Sequence, residues 1–372
     1  MLNSFQINNF RLFEKLEVKR LGRVNLIVGK NNSGKSTFLE AIQIYASNGN
    51  SKILVDLIES RQETWLSELQ QQTHNFLNNP IRHLFFGHKL PKIGEESISL
   101  GEISPNLPLR LNIAVYQNIT DDEGTIRKIR VSDIQLDEDL SNIETVLIAE
   151  EGEKIRRLFR LEMDIRDVQR NSLRGLYDSQ ESDLKYVCQI VSTDNMPNQK
   201  LASLWELIDL TDLEPEVISS LQLIDNRVLG ITFVQNIRRH NERMPLIKLQ
   251  GISERLSLKS MGDGMTRLLH IAVALVSAKN GILLIDEFEN GLHWTVQPKV
   301  WDIIFQLAER LNVQIFATTH SRDCVQAFEQ IWNKYPKGGA FFRLDEKNGK
   351  IKATEYELET LADSLEMDVE VR

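Results

Sequence analysis

Gly29-Lys-Asn-Asn-Ser-Gly-Lys-Ser-Thr37 is the stretch whose reading decides the fold. It satisfies G-x-x-x-x-G-K-[ST] and stands between an apolar run, Val24 to Val28, and a helix-like stretch, Phe38 to Ala46. A strand, a glycine-rich turn and a helix in that order make a phosphate cradle. Gly29 and Gly34 tolerate positive φ, so successive N–H groups can turn inward toward an anion. The helix start adds partial positive charge at the same point. Asn31, Asn32, Ser33 and Thr37 complete the loop; Lys35 is expected to reach the β- and γ-phosphates, and the Ser36 hydroxyl to sit on Mg²⁺. The loop predicts nucleotide binding, and the rest of the chain has to say of what kind.

Composition sets the outer limits. A chain of 372 residues, 41% hydrophobic and 26% charged, suits one large or two to three modest globular domains. No apolar run reaches membrane-spanning length, and the start, Met1-Leu-Asn-Ser-Phe-Gln, lacks a signal peptide. Cys188 and Cys324 give neither a disulfide framework nor a metal spacing, so both are expected to be reduced and structural, in a cytoplasmic setting. The net charge of −9 argues against a surface coated with nucleic-acid contacts, while leaving a local basic face open.

Ile282-Leu-Leu-Ile-Asp-Glu287 supplies a second half for the nucleotide site. Four apolar residues make a buried parallel strand, and ligands of open α/β sheets bind beyond the carboxyl ends of such strands. Asp286 is expected to hold Mg²⁺ through water, and Glu287 to polarise the attacking water of a phosphoryl transfer. Two solvated acids capping a strand are the bland alternative; beside a phosphate loop in the same chain, the catalytic reading is preferred.

Three further segments occur in an order that carries a resemblance. Glu289-Asn-Gly-Leu-His293 follows the acids, and a strand at Val313-Gln-Ile-Phe-Ala-Thr-Thr319 ends in His320-Ser321. Upstream, Ser260-Met-Gly262-Asp-Gly264 opens a helix, Met265 to Ala278. They resemble the D-loop, switch histidine and degenerate signature motif of ATP-binding-cassette (ABC) ATPases of the RecF and SMC type. The resemblance implies ATP hydrolysis with Lys35, Glu287 and His320 at the reacting phosphate. It also implies that Ser260 and Gly262 complete the site of a second chain, in a head-to-tail homodimer or higher even oligomer. Taken alone, Ser260 is equally an ordinary helix cap.

The implied fold class is α/β: an ABC-type head, a mixed sheet with flanking helices, carrying an inserted and mainly helical region. About 250 residues separate Lys35 from Asp286, without the sustained heptads of a coiled coil. Strands are expected at Ile98–Gly101, Leu109–Gln117 and Thr125–Ile134, with a hairpin tip at Glu123-Gly124, and again at Val228–Val234. A charged, helix-like stretch is expected from about Ser141 to Leu223, broken around Asp194–Asn198. The resulting division is an ATPase lobe at 1–135, an inserted helical region at 136–224, and a second ATPase lobe at 225–372.

Lys154, Arg156, Arg157, Arg160, Arg166, Arg170 and Arg174 of the insert could face DNA or a partner. They alternate with acids at i,i+3 and i,i+4 spacings, so a solvated helix is preferred. The Q-loop glutamine has only Gln117 as a weak candidate.

The opening segment, Leu2-Asn-Ser-Phe-Gln-Ile-Asn-Asn-Phe-Arg-Leu-Phe-Glu-Lys-Leu-Glu-Val18, resembles the first strand pair of RecF- and OLD-type ATPases. OLD denotes the "overcoming lysogenization defect" nucleases. About fifty residues follow His320-Ser321, reading as a hairpin around Lys347-Asn-Gly-Lys350 and one helix, too short for the Toprim nuclease domain of OLD proteins. The resemblance therefore implies no nuclease activity in this chain, and a separately encoded effector, a Toprim-type nuclease or toxin, in anti-phage defence. A RecF/SMC-like DNA-repair ATPase is the nearest alternative. A nucleotide-gated scaffold with negligible turnover is the second. The nucleotide-binding subunit of a membrane transporter fits less well, given the large insert.

Overall fold

The computed structural model describes residues 1–64, 79–92, 95, 97–103, 107–120, 126–131, 143–162, 184–194, 196–235, 243–367 and 371. Strands β1 (Phe5–Phe10) and β2 (Phe13–Val18) open an antiparallel sheet. It continues through β4 (Ile98–Gly101), β5 (Leu109–Thr120), β6 (Ile126–Val131), β7 (Ile143–Glu151) and β8 (Lys154–Arg160), in the order β2-β1-β4-β5-β7-β8 with β6 also on β5.

A second sheet holds the chemistry. Its parallel strands are β3 (Val24–Val28), β9 (Cys188–Val191), β13 (Ile282–Ile285), β14 (Gln314–Thr318) and β15 (Gly339–Lys347). With the antiparallel β16 (Lys350–Tyr356) at its edge, the order is β16-β15-β3-β14-β13-β9. The phosphate-loop strand β3 and the acidic strand β13 thus flank β14, in register from Val24 to Ile27 on one side and Ile282 to Ile285 on the other. A small third sheet combines β10 (Val228–Gln235), β11 (Arg243–Leu249) and β12 (Leu256–Ser257).

Strand parity sorts the core into two layers. Ile27, Leu284, Phe316 and Phe342 face the antiparallel sheet, while Leu26, Leu283, Ile315 and Phe341 face the opposite way. Helix α1 (Lys35–Ala46) lies in the first layer, and Phe38 meets Phe5 at 5.9 Å and Phe342 at 5.3 Å, both edge to face. It is clamped between two sheets, which is why nine of its twelve residues are buried. Its successor α2 (Ser51–Ser60) is capped by the Asn50 side chain.

The second layer contains α3 (Asn198–Asp209), α4 (Glu214–Leu221), α5 (Asp263–Ser277), α6 (Gln297–Arg310) and α7 (Arg322–Lys334). Every residue of α5 from Met265 to Val276 is buried. Trp301 of α6 stacks on Phe288 at 3.8 Å, directly beneath the acidic strand end. The chain closes with the expected hairpin and α8 (Leu358–Glu366). Asn348 (φ 55) and Gly349 (φ 73) form its turn, the left-handed pair that a two-residue hairpin requires.

The α/β class, a mixed sheet with flanking helices, is observed, but the expected helix from Ser141 is corrected at residues 143–160 and 188–191. Residues 143–160 form the β7–β8 hairpin, and 188–191 form β9; among the described residues of this stretch, helix begins at Asn198, while 163–183 lie outside the described residues. The periodic charges that suit a helix pair across strands instead: Glu144 meets Lys128 (2.8 Å), Arg157 (3.1 Å) and Arg160 (2.9 Å). Gly152, at φ 60, turns the chain between them. Arg166, Arg170 and Arg174 lie outside the described residues, as do Glu123-Gly124 and residues 132–134. The flanking hairpin is present, with Thr120 opposite Ile126. Among the described residues, no helix is long and apolar enough to cross a membrane.

Candidate functional site

The phosphate loop is shaped by close contacts. A Cβ on Gly29 (φ 150) would lie 2.4 Å from Ser33 Oγ and 2.5 Å from the Leu344 carbonyl oxygen, so no side chain fits there. At Gly34 (φ 94) it would meet the Phe13 ring at 2.7 Å. Gly34 caps α1. Asn32 is left-handed too (φ 67), a conformation asparagine tolerates better than most. Lys35 Nζ donates to the carbonyl oxygens of Gly29 (2.8 Å) and Lys30 (3.1 Å). Burial lowers its pKa from the ordinary lysine value, and the charges of Asp286, Glu287 and Glu289 oppose that shift.

The sheet order brings the acids to this loop. Ser36 Oγ donates to Asp286 Oδ2 at 2.9 Å, joining residues 250 positions apart. Thr318, fully buried at the end of the intervening β14, donates to Asp286 Oδ1 at 2.5 Å and accepts from Glu287 N–H at 2.9 Å. Glu287 is left-handed (φ 48), which turns its side chain off the strand direction. A cavity of 350 Å³ is lined by Leu12, Asn31, Asn32, Gly34, Lys35, Ser36, Thr37, Arg61, Asp286 and Glu287. A larger polar groove, 930 Å³ on the antiparallel sheet, is lined in part by Gln6, Asn8, Asn9, Glu14 and Lys15 of the opening segment and by no residue of the phosphate loop, the acid pair, the Ser260–Gly262 turn or His320.

His320 stands beside this cavity rather than in it. Its N–H donates to Glu289 Oε1 (3.0 Å), and its Nδ1 lies 3.2 Å from the same oxygen and 3.8 Å from Glu287 Oε1. Ser260 and Gly262 are not among the lining residues. Ser260 is exposed in the short turn Leu258–Met261, where its Oγ donates to the Ser257 carbonyl oxygen at 2.6 Å. Gly262 (φ 88) caps α5, and nothing lies within 4 Å of where its Cβ would be. Gln117 sits on β5 opposite Ile143 and is likewise not a lining residue.

Sequence reasoning missed four residues here. Leu12 and Arg61 reach the cavity through packing of the β1–β2 turn and of the residue after α2, and neither carries a local signal. Arg61 is held by Glu40 (2.8 Å) and Thr37 Oγ1 (3.3 Å). Thr318 was detectable in principle as the polar end of a buried strand adjoining the acids. Arg267, buried on α5, contacts the carbonyl oxygens of Asp286 (2.6 Å) and Glu287 (2.9 Å), and would otherwise read as a solvent-facing charge.

Comparison with known proteins finds ATPase resemblance at both ends of the chain. Residues 1–78 match a family model described as "AAA ATPase domain". Residues 238–323 match one described as "AAA domain, putative AbiEii toxin, Type IV TA system". A protein of Helicobacter pylori named "ATP/GTP phosphatase" is 24% identical over 359 residues, covering 89% of this chain and 88% of its own. An uncharacterized protein of Methanocaldococcus jannaschii is 43% identical over 47 residues, covering 13% of this chain and 22% of its own. Among solved structures, an SMC head bound to the C-terminal winged-helix domain of ScpA aligns over 97% of this chain and 99% of its own, at 13% identity and a TM-score of 0.48. The SMC head domain from Thermotoga maritima aligns over 96% and 99%, at 11% identity and a TM-score of 0.43. The two matched spans contain the phosphate loop and the acid pair respectively, the two halves that the Ser36–Asp286 bond joins.

Proposed function

We propose that the protein is a Mg²⁺-dependent ATP hydrolase that acts as a head-to-tail pair of chains. The observation that carries this reading is the single cavity holding Lys35, Ser36, Asp286 and Glu287 while the Ser260–Gly262 turn stays outside it. Asp286 and Ser36 present the hard oxygen donors that Mg²⁺ prefers, and Thr318 fixes the carboxylate from behind. The metal, when bound, neutralises charge on the β- and γ-phosphates.

The protein's own groups do the rest. The amides of residues 29–37 and Lys35 orient the phosphates. Lys35 Nζ exchanges its loop carbonyl partners for phosphate oxygens, a charge-assisted and stronger pairing. Glu287 accepts a proton from, and aligns, the attacking water, and His320 senses the γ-phosphate while tethered to Glu289. Ser260 and the start of α5 meet the γ-phosphate held by a second chain, a helix N-terminus being a favourable place for an anion. ATP binding would close the pair and product release would open it, passing nucleotide state to a separately encoded effector in anti-phage defence. Support for that output is the motif resemblance to OLD-type ATPases.

Glu287→Gln tests the reading. The variant is expected to bind ATP as tightly as the parent, to lose turnover by roughly 10²- to 10⁴-fold, and to accumulate as an ATP-dependent dimer in light scattering. Unchanged turnover would remove Glu287 from the mechanism, and a monomer at saturating ATP would remove the pairing.

A further inference from the structure

Arg267 lies on α5, which begins at the Ser260–Gly262 turn, but its side chain leaves the helix toward the strand ends. The residue is 4% exposed. Its Nη1 donates to the Ser192 carbonyl oxygen (2.5 Å), while Nη2 donates to those of Asp286 (2.6 Å) and Glu287 (2.9 Å). One planar guanidinium thus gathers the carboxyl ends of β9 and β13, a task that a point-charge ammonium cannot share among three acceptors in a plane. Burial lowers its pKa from the ordinary arginine value, and the Asp286, Glu289 and Glu287 charges oppose that shift. A buried cation among Leu268, Leu269 and Ile271 is costly wherever an apolar side chain would serve equally well for packing.

What it grips is unusual. Glu287 is a non-glycine residue in the left-handed region, and its peptide groups are held from both sides. Thr318 Oγ1 takes its N–H and Arg267 takes its carbonyl oxygen. Such a conformation persists only where surroundings over-determine it. The start of α5 also bears on the loop beyond the acids, because a Cβ on Gly264 would stand 3.0 Å from the Gly291 carbonyl oxygen.

We propose that Arg267 is a positioning residue linking the Ser260–Gly262 turn to the backbone of Glu287, so that engagement of the turn by a second chain's nucleotide sets the carboxylate of the chain that donates the turn. This rests on the reading of Glu287 and Ser260 given above. Each site then becomes competent through the occupancy of the other, and turnover rises cooperatively with ATP concentration.

Arg267→Lys, with the unaltered protein and Thr318→Val in parallel, tests the link. Nucleotide affinity, ATP-dependent pairing, kcat and the Hill coefficient are measured for each, together with thermal unfolding. Arg267→Lys is expected to keep affinity and pairing, to lose kcat by about 100-fold, as an ångström-scale misplacement does, and to lower the Hill coefficient to about one. Thr318→Val frees Glu287 from the side away from the helix, so its kcat falls while cooperativity remains. An Arg267→Lys protein with unchanged kcat, or with reduced kcat and unchanged cooperativity, overturns the link alone. A parent protein that hydrolyses no ATP, or never pairs, overturns the underlying reading as well. Should Arg267→Lys fail to fold, Thr318→Val decides: loss of cooperativity there overturns the link, because that substitution leaves α5 untouched.

Discussion

The phosphate loop and the Ser260–Gly262 turn are alike in sequence logic and opposite in surroundings. Each is a glycine turn that opens a buried helix, α1 in one case and α5 in the other. At Gly29 and Gly34 the chain itself fills the space a side chain would need, with Ser33, Leu344 and Phe13 pressed against the backbone. At Gly262 the left-handed backbone is the same kind of demand, yet open space surrounds it. Glycine in the first turn is explained within one chain. Glycine in the second answers only to its φ of 88 and to whatever approaches from outside.

The comparison can be broken at its strong end first. Lys35→Ala is expected to lower ATP affinity by about 100-fold or more, since a charge-assisted phosphate contact contributes about 1.5–3 kcal/mol per hydrogen bond; isothermal titration reads this directly. Gly262→Val is the matching change at the other turn. With open space around it, the cost is confined to backbone strain of about 1–3 kcal/mol at φ 88 and ψ 165. ATP binding by the single chain should persist while ATP-dependent pairing and turnover fall by at least about tenfold. A Gly262→Val protein that turns over ATP normally would show that the open side of the turn has no partner.

A smaller effect separates the two helices by pH. His270, on α5 and 2% exposed, has its pKa lowered to about 4, chiefly by burial and secondly by the Arg267 charge. Its Nδ1 accepts from Met196 N–H (3.4 Å), which requires the neutral ring. The unfolded chain binds this proton below its ordinary pKa of 6.5 and the folded chain does not until about 4, so stability falls as pH drops through that window. The expected loss between pH 7 and 4.5 is about 2 kcal/mol, read by denaturant unfolding at those two pH values, and His270→Gln should flatten much of it.

The same contrast explains what the sequence disclosed. Residues 29–37 and 282–287 were legible because phosphate and metal chemistry ask for fixed residue types at fixed spacings beside a buried strand. Leu12, Arg61 and Arg267 were not, because each reaches the site through tertiary packing that leaves no local pattern. The β7–β8 hairpin was misread for a related reason. Its charges recur at helical intervals, yet the register shift between Leu147 and Ile148 disturbs the alternation that marks a strand. Gly152 was the overlooked signal, a hairpin turn between two runs of β-branched and charged residues.

The placement of β3 also bears on how the protein is made. An early strand has both its sheet neighbours, β14 and β15, in the last sixth of the chain, with Val24 pairing beside Ile315 and opposite Gly339. At a synthesis rate of 5–20 residues per second, β3 waits roughly 15–60 s on the ribosome with both edges unpaired. The glycine-rich loop and Asp286 cannot be set side by side during that interval, since β14, which lies between their strands and carries the Thr318 that orients Asp286, emerges at the end of it.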